Sequence, residues 1–259
     1  MTSKTPGRLT VLGLGPGDAR LMAPLAAEAL ARAQVVAGYS TYLDLIPAEQ
    51  LCGKRIISTG MMGEVERCSQ AILAARSGEE TVVVSGGDAG VYGMAGLVLE
   101  LLEAQNLLEE LDFQVLPGIP ALAGAAALLG APLTHDFACV SLSDLLTPWE
   151  RIEKRIAAAA SADFVLVIYN PRSRRREGLL GRALAIIGRF REPSTPVGIV
   201  RKAWREGQTV SVTPLDKVDP AAVDMLTVVV VGSSQTRFAG GWMLSPRGYS
   251  DKYAMGERG

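Results

Sequence analysis

Histidine is almost absent from this sequence, since His135 is the only one among 259 residues. A metal site built from several histidines is therefore excluded, and so is a pair of catalytic histidines. The three cysteines, Cys52, Cys68 and Cys139, are too far apart for metal-ligand spacing, and an odd, scattered set is typical of a reducing compartment. We expect no metal site in this chain.

The sequence also lacks a basic excess and a long apolar run. It has 26 Lys and Arg against 27 Asp and Glu, a formal net charge of -1, so we expect no nucleic-acid partner. The longest apolar stretch, residues 121–133, is too short and too rich in Ala and Gly to span a bilayer. No signal-peptide pattern is visible. We therefore predict a cytoplasmic protein without membrane contact, and 48% hydrophobic residues allow a sizeable core.

Strand-like and helix-like segments alternate along the whole chain, beginning with LTVLGLG and the helically spaced LMAPLAAEALARA. This alternation predicts an α/β fold, and several strands are too apolar to face solvent on one side. We predict a hinge near Pro117-Gly118 that separates an N-terminal lobe (residues 1–117) from a C-terminal lobe (residues 118–240). Residues 241–259 are predicted to form an irregular C-terminal tail.

The segment TVLGLGPGD at residues 10–18 places a glycine loop directly after the first strand. Gly13 and Gly15 match the first half of the dinucleotide-binding fingerprint. Position 18, where the third glycine would fall, is Asp18, whose carboxylate would repel a pyrophosphate. Pro16 removes one backbone N–H donor as well. The loop therefore favours a ligand with little negative charge that approaches the backbone closely.

Two further strands end in similar loops, SGGDAGVYG at residues 85–93 and PGIPALAG at residues 117–124. Any one of these loops could be a structural turn. Because α/β proteins bind ligands at the carboxyl ends of their strands, the three together favour a binding site. Asp88 follows the paired glycines, and its carboxylate would suit a cation or a ribose hydroxyl.

The motifs GLGPGD, SGGDAGVYGMAGLVLE, PGIPALAGAAALLGAPLTHDF and YNPRSRRREG occur in this order along the chain. In them the chain resembles the tetrapyrrole methylase family, which transfers methyl groups from S-adenosylmethionine to corrin and sirohaem precursors. SLSDLLTPW and SPRGY resemble the precorrin-3B C(17)-methyltransferase branch of that family. The resemblance implies two α/β lobes of this type with the cofactor in the interlobe cleft, not a classical Rossmann methyltransferase, and a homodimer. It implies methylation of carbon 17 of precorrin-3B in cobalamin (vitamin B12) biosynthesis, with ring contraction to precorrin-4 and S-adenosylhomocysteine as the second product.

Position by position, the resemblance implies cofactor contacts from both lobes. The residues are Pro16, Gly86, Gly87, Asp88, Val91, Pro120, Ala121, Asn170, Ala203, Thr227 and Val228.

Methyl transfer from a sulfonium is an in-line displacement, and orientation alone can supply about 7–11 kcal/mol of such a barrier. Ring contraction moves protons and needs an acid or base. We predict His135 and Asp144 in this role, with Asp136, Glu64 and Glu66 as further candidates. An equally good interpretation is that His135 lies in a turn, where its hydrogen bonds are satisfied, and has no catalytic role.

An arginine-rich segment follows the strand that ends at Asn170. Its guanidinium groups would bind the acetate and propionate arms of a tetrapyrrole, although a solvated surface also explains it. Hydroxyl groups of the SLSDLL motif could bond to pyrrole N–H groups or arms, unless they only belong to a polar loop. The predicted substrate-binding residues are Ser141, Ser143, Arg172, Arg174 and Arg175.

Other functions stay open at this point. They are a methylase for another precorrin or cobalt-precorrin, a methylase for RNA or a translation factor, a nicotinamide-dependent oxidoreductase, and a tetrapyrrole carrier. The net charge disfavours the RNA methylase, Pro16 and Asp18 disfavour the oxidoreductase, and a carrier would not need paired glycines. The residues do not discriminate between a metal-free and a cobalt-bound substrate.

Overall fold

The structure of the protein is a computed structural model that describes residues 7–60, 62–172 and 178–253. The chain forms two compact units, of which the first ends at Ala121 and the second begins at Leu122. This division lies four residues after the predicted hinge. Every strand and helix that the alternating pattern predicts is present, and the α/β fold class is confirmed.

A five-stranded parallel sheet forms the centre of the N-terminal unit. Its spatial order is β3-β2-β4-β1-β5. Because all five strands run in one direction, their carboxyl ends lie at one edge of the sheet. The strands are β1 (Arg8–Gly13), β2 (Val35–Tyr39), β3 (Arg55–Thr59), β4 (Thr81–Ser85) and β5 (Asp112–Leu116).

Helices cover both faces of this sheet, which explains why its strands are apolar on both sides. Ile72 and Leu102, from the fourth and fifth helices, pack with Val11 and Val83 on one face. Leu30, from the first helix, packs with strand residues on the other face. The helices are α1 (Pro24–Arg32), α2 (Ser40–Leu43), α3 (Ala48–Leu51), α4 (Glu64–Arg76) and α5 (Ala95–Ala104).

The order of the strands creates a crevice between β1 and β4. The chain leaves β1 through α1 on one face and leaves β4 through α5 on the opposite face. Since β1 and β4 are neighbours, their following loops diverge at the carboxyl edge. Ligands of open α/β sheets bind at this kind of switch point.

The C-terminal unit has a mixed sheet in the order β10-β9-β11-β8-β7, in which β7, β8 and β9 run in one direction and β10 and β11 run in the other. A small second sheet has the order β12-β13-β6. The elements are α6 (Ala121–Leu129), β6 (Gly130–Ala131), β7 (Phe137–Ser141), α7 (Trp149–Ser161), β8 (Val165–Tyr169), α8 (Leu179–Ile187), β9 (Pro196–Arg201), β10 (Thr209–Pro214), β11 (Thr227–Val231), β12 (Arg237–Ala239), β13 (Trp242–Leu244) and α9 (Tyr249–Lys252).

A buried arginine joins the loops at the amino end of β8. The Arg191 side chain is 1% exposed, and its guanidinium lies 3.2 Å from Asp163 Oδ1. It also donates to the backbone carbonyls of Ala160, Phe164 and Gly232 at 2.7–3.0 Å. Burial lowers the pKa of Arg191, while the charge of Asp163 acts against that shift. Because its partners are carbonyls and one carboxylate, this cation serves the packing of the C-terminal unit.

The prediction of an irregular segment from residue 241 onward is wrong for residues 242–244, which form β13. The turn before them, Gly240-Gly241, has two positive φ angles, 55° and 94°, as a two-residue hairpin requires. β13 pairs with β12 and with β6. Among the described residues, no helix is long and apolar enough to cross a membrane.

Candidate cofactor and substrate site

The three glycine loops of the N-terminal unit meet at the carboxyl ends of β4, β1 and β5, which are adjacent. Gly15 and Gly87 exchange two backbone hydrogen bonds, of 3.0 Å from Gly15 N to Gly87 O and 2.8 Å in return. Gly118 N, in the third loop, donates to Asp88 Oδ2 at 2.9 Å. The expectation that these loops converge therefore holds within this unit.

Glycine is required here because backbone packs directly on backbone. A Cβ on Gly118 would lie 2.3 Å from Gly87 O and 2.9 Å from Gly13 Cα. A Cβ on Gly13 would lie 2.4 Å from the same Gly87 oxygen. Pro120 and Ala121 adjoin this contact, with Pro120 Cα 3.6 Å and Ala121 N 3.3 Å from the Cβ position of Gly87. The three loops form one rigid surface of main chain.

Asp88 holds this surface together instead of presenting a free carboxylate. Its Oδ1 accepts from Gly90 N at 2.7 Å and Val91 N at 3.1 Å, and its Oδ2 accepts from Gly118 N. The predicted contact with a cation or ribose was based on an available carboxylate. The structure shows that three backbone amides already occupy much of its acceptor capacity, so Asp88 can act on a ligand chiefly by fixing the loops.

The loops are poorly suited to a pyrophosphate. A phosphate-binding loop needs backbone N–H groups that point at the ligand. Here the amides of six loop residues donate to protein oxygens: Leu14, Gly15, Gly87, Gly90, Val91 and Gly118. These six amides are therefore not available to a phosphate group of a ligand.

Asp18 has a local structural role that the sequence interpretation missed. Its carboxylate caps a turn of 3-10 helix by accepting from Arg20 N at 2.9 Å, and it pairs with Arg20 Nη2 at 2.6 Å. The hydrogen bonds from the Arg20 side chain and backbone lower the pKa of Asp18 to about 2. The carboxylate is thus charged at neutral pH and directed to its own loop.

In the C-terminal unit, residues predicted for cofactor and for substrate lie together at the carboxyl ends of β7 and β8. Ser141 Oγ accepts from Asn170 Nδ2 at 2.9 Å and from Ser143 N at 3.2 Å. Asn170 has a φ of 52°, a left-handed conformation that Asn tolerates better than most residues. This short network fixes the end of both strands.

The neighbouring strands of the same edge carry the remaining predicted cofactor residues. Thr227 starts β11 opposite Arg201, the last residue of β9, and Ala203 follows shortly after. Thr227 and Val228 are almost fully buried. The Thr227 hydroxyl donates to Asp224 Oδ1 at 2.8 Å, so a ligand would contact the backbone here. Partial burial raises the pKa of Asp224, but hydrogen bonds from Arg201, Thr227 and Leu226 outweigh it, and the pKa falls.

His135 does not lie at this edge of the second sheet, so it and Asp144 are separate candidates, and the role of each in ring contraction stays a prediction. It precedes β7, whereas Asp144 follows β7, so the strand separates them by about 17 Å at 3.3–3.4 Å per residue. His135 Nδ1 accepts from Asp136 N at 2.8 Å, and its side chain is 57% exposed. The structure favours the interpretation of His135 as a turn residue, while Asp144 remains at the edge with Ser141.

The predicted arginine segment is only partly described. Arg172 is half-buried, and its guanidinium donates to the carbonyl of Ala221. Arg174 and Arg175 lie outside the described residues. Their assignment to substrate carboxylates stays a prediction.

The site edges contain aromatic residues that sequence reasoning missed. Tyr42, on α2, packs its ring against Gly86, whose Cβ position lies 2.6 Å from Tyr42 Cε1. Tyr39, at the end of β2, contacts Tyr42 edge to face with ring centroids 5.7 Å apart. Their position directly after a strand, in the segment GYSTY, was the available signal.

Comparison with known proteins identifies relatives over nearly the whole chain. A probable cobalt-factor III C(17)-methyltransferase of Salmonella typhimurium is 49% identical over 93% of this chain and 99% of its own length. A precorrin-3B C(17)-methyltransferase of a Sinorhizobium species is 40% identical over 89% and 91%. The crystal structure of the methyltransferase CobJ matches with a TM-score of 0.88 and 41% identity, covering 93% of this chain and all of that one.

Some curated relatives are longer than this chain. It spans about half the length of one from Priestia megaterium and one from Archaeoglobus fulgidus, at 47% and 55%. The family model of tetrapyrrole (corrin/porphyrin) methylases matches residues 8–219, a range that includes the three glycine loops and the strands β7 to β10 of the second sheet. With the motifs, the fold and these relatives in agreement, the chain belongs to the tetrapyrrole methylase family.

Proposed function

We propose that this protein transfers a methyl group from S-adenosylmethionine to carbon 17 of precorrin-3B or of its cobalt-containing counterpart, in cobalamin biosynthesis. The observation that carries the proposal is the joined surface of three glycine loops whose amides are engaged internally. Such a surface suits a cofactor without phosphate. Relatives named for this reaction, at 40–49% identity, support the same substrate class.

The cofactor would lie on the loops at the ends of β1, β4 and β5. Pro16, Gly86 and Gly87 are proposed to contact the cofactor through their backbone, while Asp88 holds the second loop in shape by accepting from the Val91 amide. Asn170, Ala203, Thr227 and Val228 are proposed as further contacts from the C-terminal unit. When bound, S-adenosylmethionine supplies a methyl group on a positively charged sulfur.

The protein's part in methyl transfer is mainly to orient donor and acceptor. In the proposed reaction the carbon–sulfur bond would break as the carbon–carbon bond formed at carbon 17, with the sulfur electron pair retained by S-adenosylhomocysteine as the second product. A reduced tetrapyrrole carbon next to a pyrrole nitrogen is itself nucleophilic. Fixing the reacting atoms in line can therefore account for about 7–11 kcal/mol of the barrier.

Ring contraction to precorrin-4 would need a proton donor or acceptor in addition. Among the candidates from the sequence, Asp144 is proposed for this role, because it is exposed on the loop that follows β7 and is next in sequence to Ser143, whose amide donates to Ser141 Oγ. Ser141 and Ser143 are proposed to contact the substrate at the same edge. Replacing Asp144 with Asn should then reduce contraction more than methylation.

The proposal is tested by incubating the enzyme with S-adenosylmethionine and either metal-free or cobalt-containing substrate. Mass spectrometry should show a product heavier by one methyl group and an equal amount of S-adenosylhomocysteine. Thermal unfolding should be shifted by S-adenosylhomocysteine and unaffected by NAD. A shift with NAD alone, and no methylated product from either substrate, would contradict the proposal.

A homodimer in the cytoplasm is part of the same proposal. Light scattering coupled to gel filtration should give twice the mass of one chain. A monomer with full activity would contradict the predicted homodimer but not the proposed methyl transfer.

A further inference from the structure

The turn that follows β9 is held in an unfavourable backbone conformation. Lys202 and Trp204 both have left-handed angles, with φ of 50° and 59°, on either side of Ala203. Residues other than Gly, Asn and Asp rarely adopt this conformation, because Cβ crowds the carbonyl oxygen. Strain of this kind persists where surrounding contacts impose it, and it concentrates at functional sites.

Hydrogen bonds to three parts of the C-terminal unit impose the conformation. The Trp204 indole N–H donates to Gly124 O at 2.9 Å, and the Trp204 backbone N–H donates to Gln208 Oε1 at 2.7 Å. The Lys202 backbone N–H donates to Leu226 O at 2.9 Å. The turn is therefore fixed before any ligand binds.

The charge of Lys202 is not compensated within the described part of the chain. Its half-buried side chain lies along the turn, with Nζ 3.4 Å from the Cβ position of Gly207, and it forms no hydrogen bond or ion pair there. The preceding Arg201 differs, since its Nε pairs with Asp224 Oδ2 at 2.7 Å. Of these two neighbouring cations, Arg201 is neutralised and Lys202 is available.

We propose that the Lys202 ammonium binds a carboxylate of a bound ligand, beside Ala203 at the carboxyl end of β9. This inference rests on the proposed function, because both the methionine end of the cofactor and the peripheral arms of a tetrapyrrole carry carboxylates. An asparagine would adopt the left-handed angle more readily than a lysine. The structure thus bears strain at a position where the side chain supplies a positive charge.

Three variants separate the charge from the strain. Lys202→Arg keeps both, Lys202→Gln removes the charge and keeps the strain, and Lys202→Asn removes the charge and relieves the strain. Lys154→Gln is the matched control, since Lys154 is exposed on α7 and has no polar side-chain partner among the described residues. Each variant is titrated with S-adenosylhomocysteine and with 5′-methylthioadenosine, which lacks the carboxylate. The KM for the tetrapyrrole and the Tm are measured as well.

Lys202→Gln and Lys202→Asn should weaken one ligand roughly fivefold, as expected for loss of a partly solvated ion pair. A raised tetrapyrrole KM with unchanged S-adenosylhomocysteine affinity identifies a substrate arm. Weaker S-adenosylhomocysteine with unchanged methylthioadenosine identifies the cofactor carboxylate. Lys202→Asn should also have a higher Tm than Lys202→Gln, because Asn tolerates the left-handed angle better, and this difference measures the strain independently of ligand binding.

Wild-type affinity for both ligands in Lys202→Gln and Lys202→Asn would overturn the inference, as would an equal loss in Lys202→Arg. Binding of S-adenosylhomocysteine to the wild-type chain tests the proposed function separately. A wild type that binds it, with variants that behave like wild type, rejects only the role of Lys202.

Discussion

Replacing Gly118 with Ala should disrupt the contact between the three glycine loops. The added Cβ would lie 2.3 Å from Gly87 O and 2.9 Å from two Gly13 atoms, all of them backbone. Ordinary contact requires a displacement of about 1 Å, which a side chain could provide by rotation but a strand end cannot. Gly118 has no left-handed φ, so the effect is purely one of space.

The expected cost follows from two terms. Overpacking a tight contact costs about 1–3 kcal/mol, and weakening the hydrogen bond from Gly118 N to the Asp88 carboxylate adds about 1 kcal/mol or more. At about 2–4 °C per kcal/mol, this total of about 2–4 kcal/mol should lower the Tm by roughly 4–16 °C. Affinity for S-adenosylhomocysteine should fall at least tenfold, which corresponds to about 1.4 kcal/mol.

Gly96→Ala provides the matched control for this measurement. Gly96 is an exposed residue of α5 whose Cβ position has no atom within 4 Å. The same chemical change there should stabilise the helix by about 0.5–1 kcal/mol and leave ligand affinity unchanged. Calorimetric unfolding and ligand titration test both variants. If Gly118→Ala matched Gly96→Ala in both quantities, the packing argument would be refuted.

Three further predictions follow from the same geometry. Asp88→Ala should lower both the Tm and, at least tenfold, the affinity for S-adenosylhomocysteine, because three backbone amides lose their acceptor; calorimetry showing unchanged affinity would contradict this. His135→Ala should keep the wild-type rates of methyl transfer and ring contraction in a product assay, since His135 lies at the opposite end of β7 from Asp144; a loss of contraction alone would restore it as the acid or base. Burial raises the pKa of Cys68 to about 11 from 9.0. Because the unfolded state then binds fewer protons between these pH values, the free energy of unfolding should fall as the pH rises through them. A thiol reagent at pH 8 should modify the exposed Cys52 and should not modify Cys68 until the chain unfolds.

The glycine loops were predictable from the sequence, but the way they join was not. Three glycine-rich strand ends indicate a site by composition alone. Which amides remain free depends on the order β4-β1-β5, which brings Gly15 to Gly87 and Gly118 to Asp88. Sequence reasoning therefore identified Asp88 but predicted that its carboxylate contacts a ligand. In the structure, that carboxylate accepts hydrogen bonds from three backbone amides.

Other features of the structure were also beyond the reach of composition. His135 was selected because it is the only histidine, and the sequence does not show that it lies before β7 while Asp144 follows that strand; its role in ring contraction stays a prediction. The Gly240-Gly241 turn is a recognisable hairpin signal between short apolar runs, and it was overlooked because the segment looked like a terminus. The left-handed angles at Lys202 and Trp204 leave no trace in composition or periodicity, since neither residue type favours them.

The most direct test of the account is a crystal structure of the protein soaked with S-adenosylhomocysteine. We predict electron density for the ligand at the carboxyl edge of the N-terminal sheet, against the backbone of the loops that contain Pro16 and Gly86–Gly87. The hydrogen bonds from the backbone amides to the Asp88 carboxylate should remain intact. Density at the amino edge of that sheet, or phosphate-type binding by displaced amides of Gly15 and Gly87, would contradict the central claim.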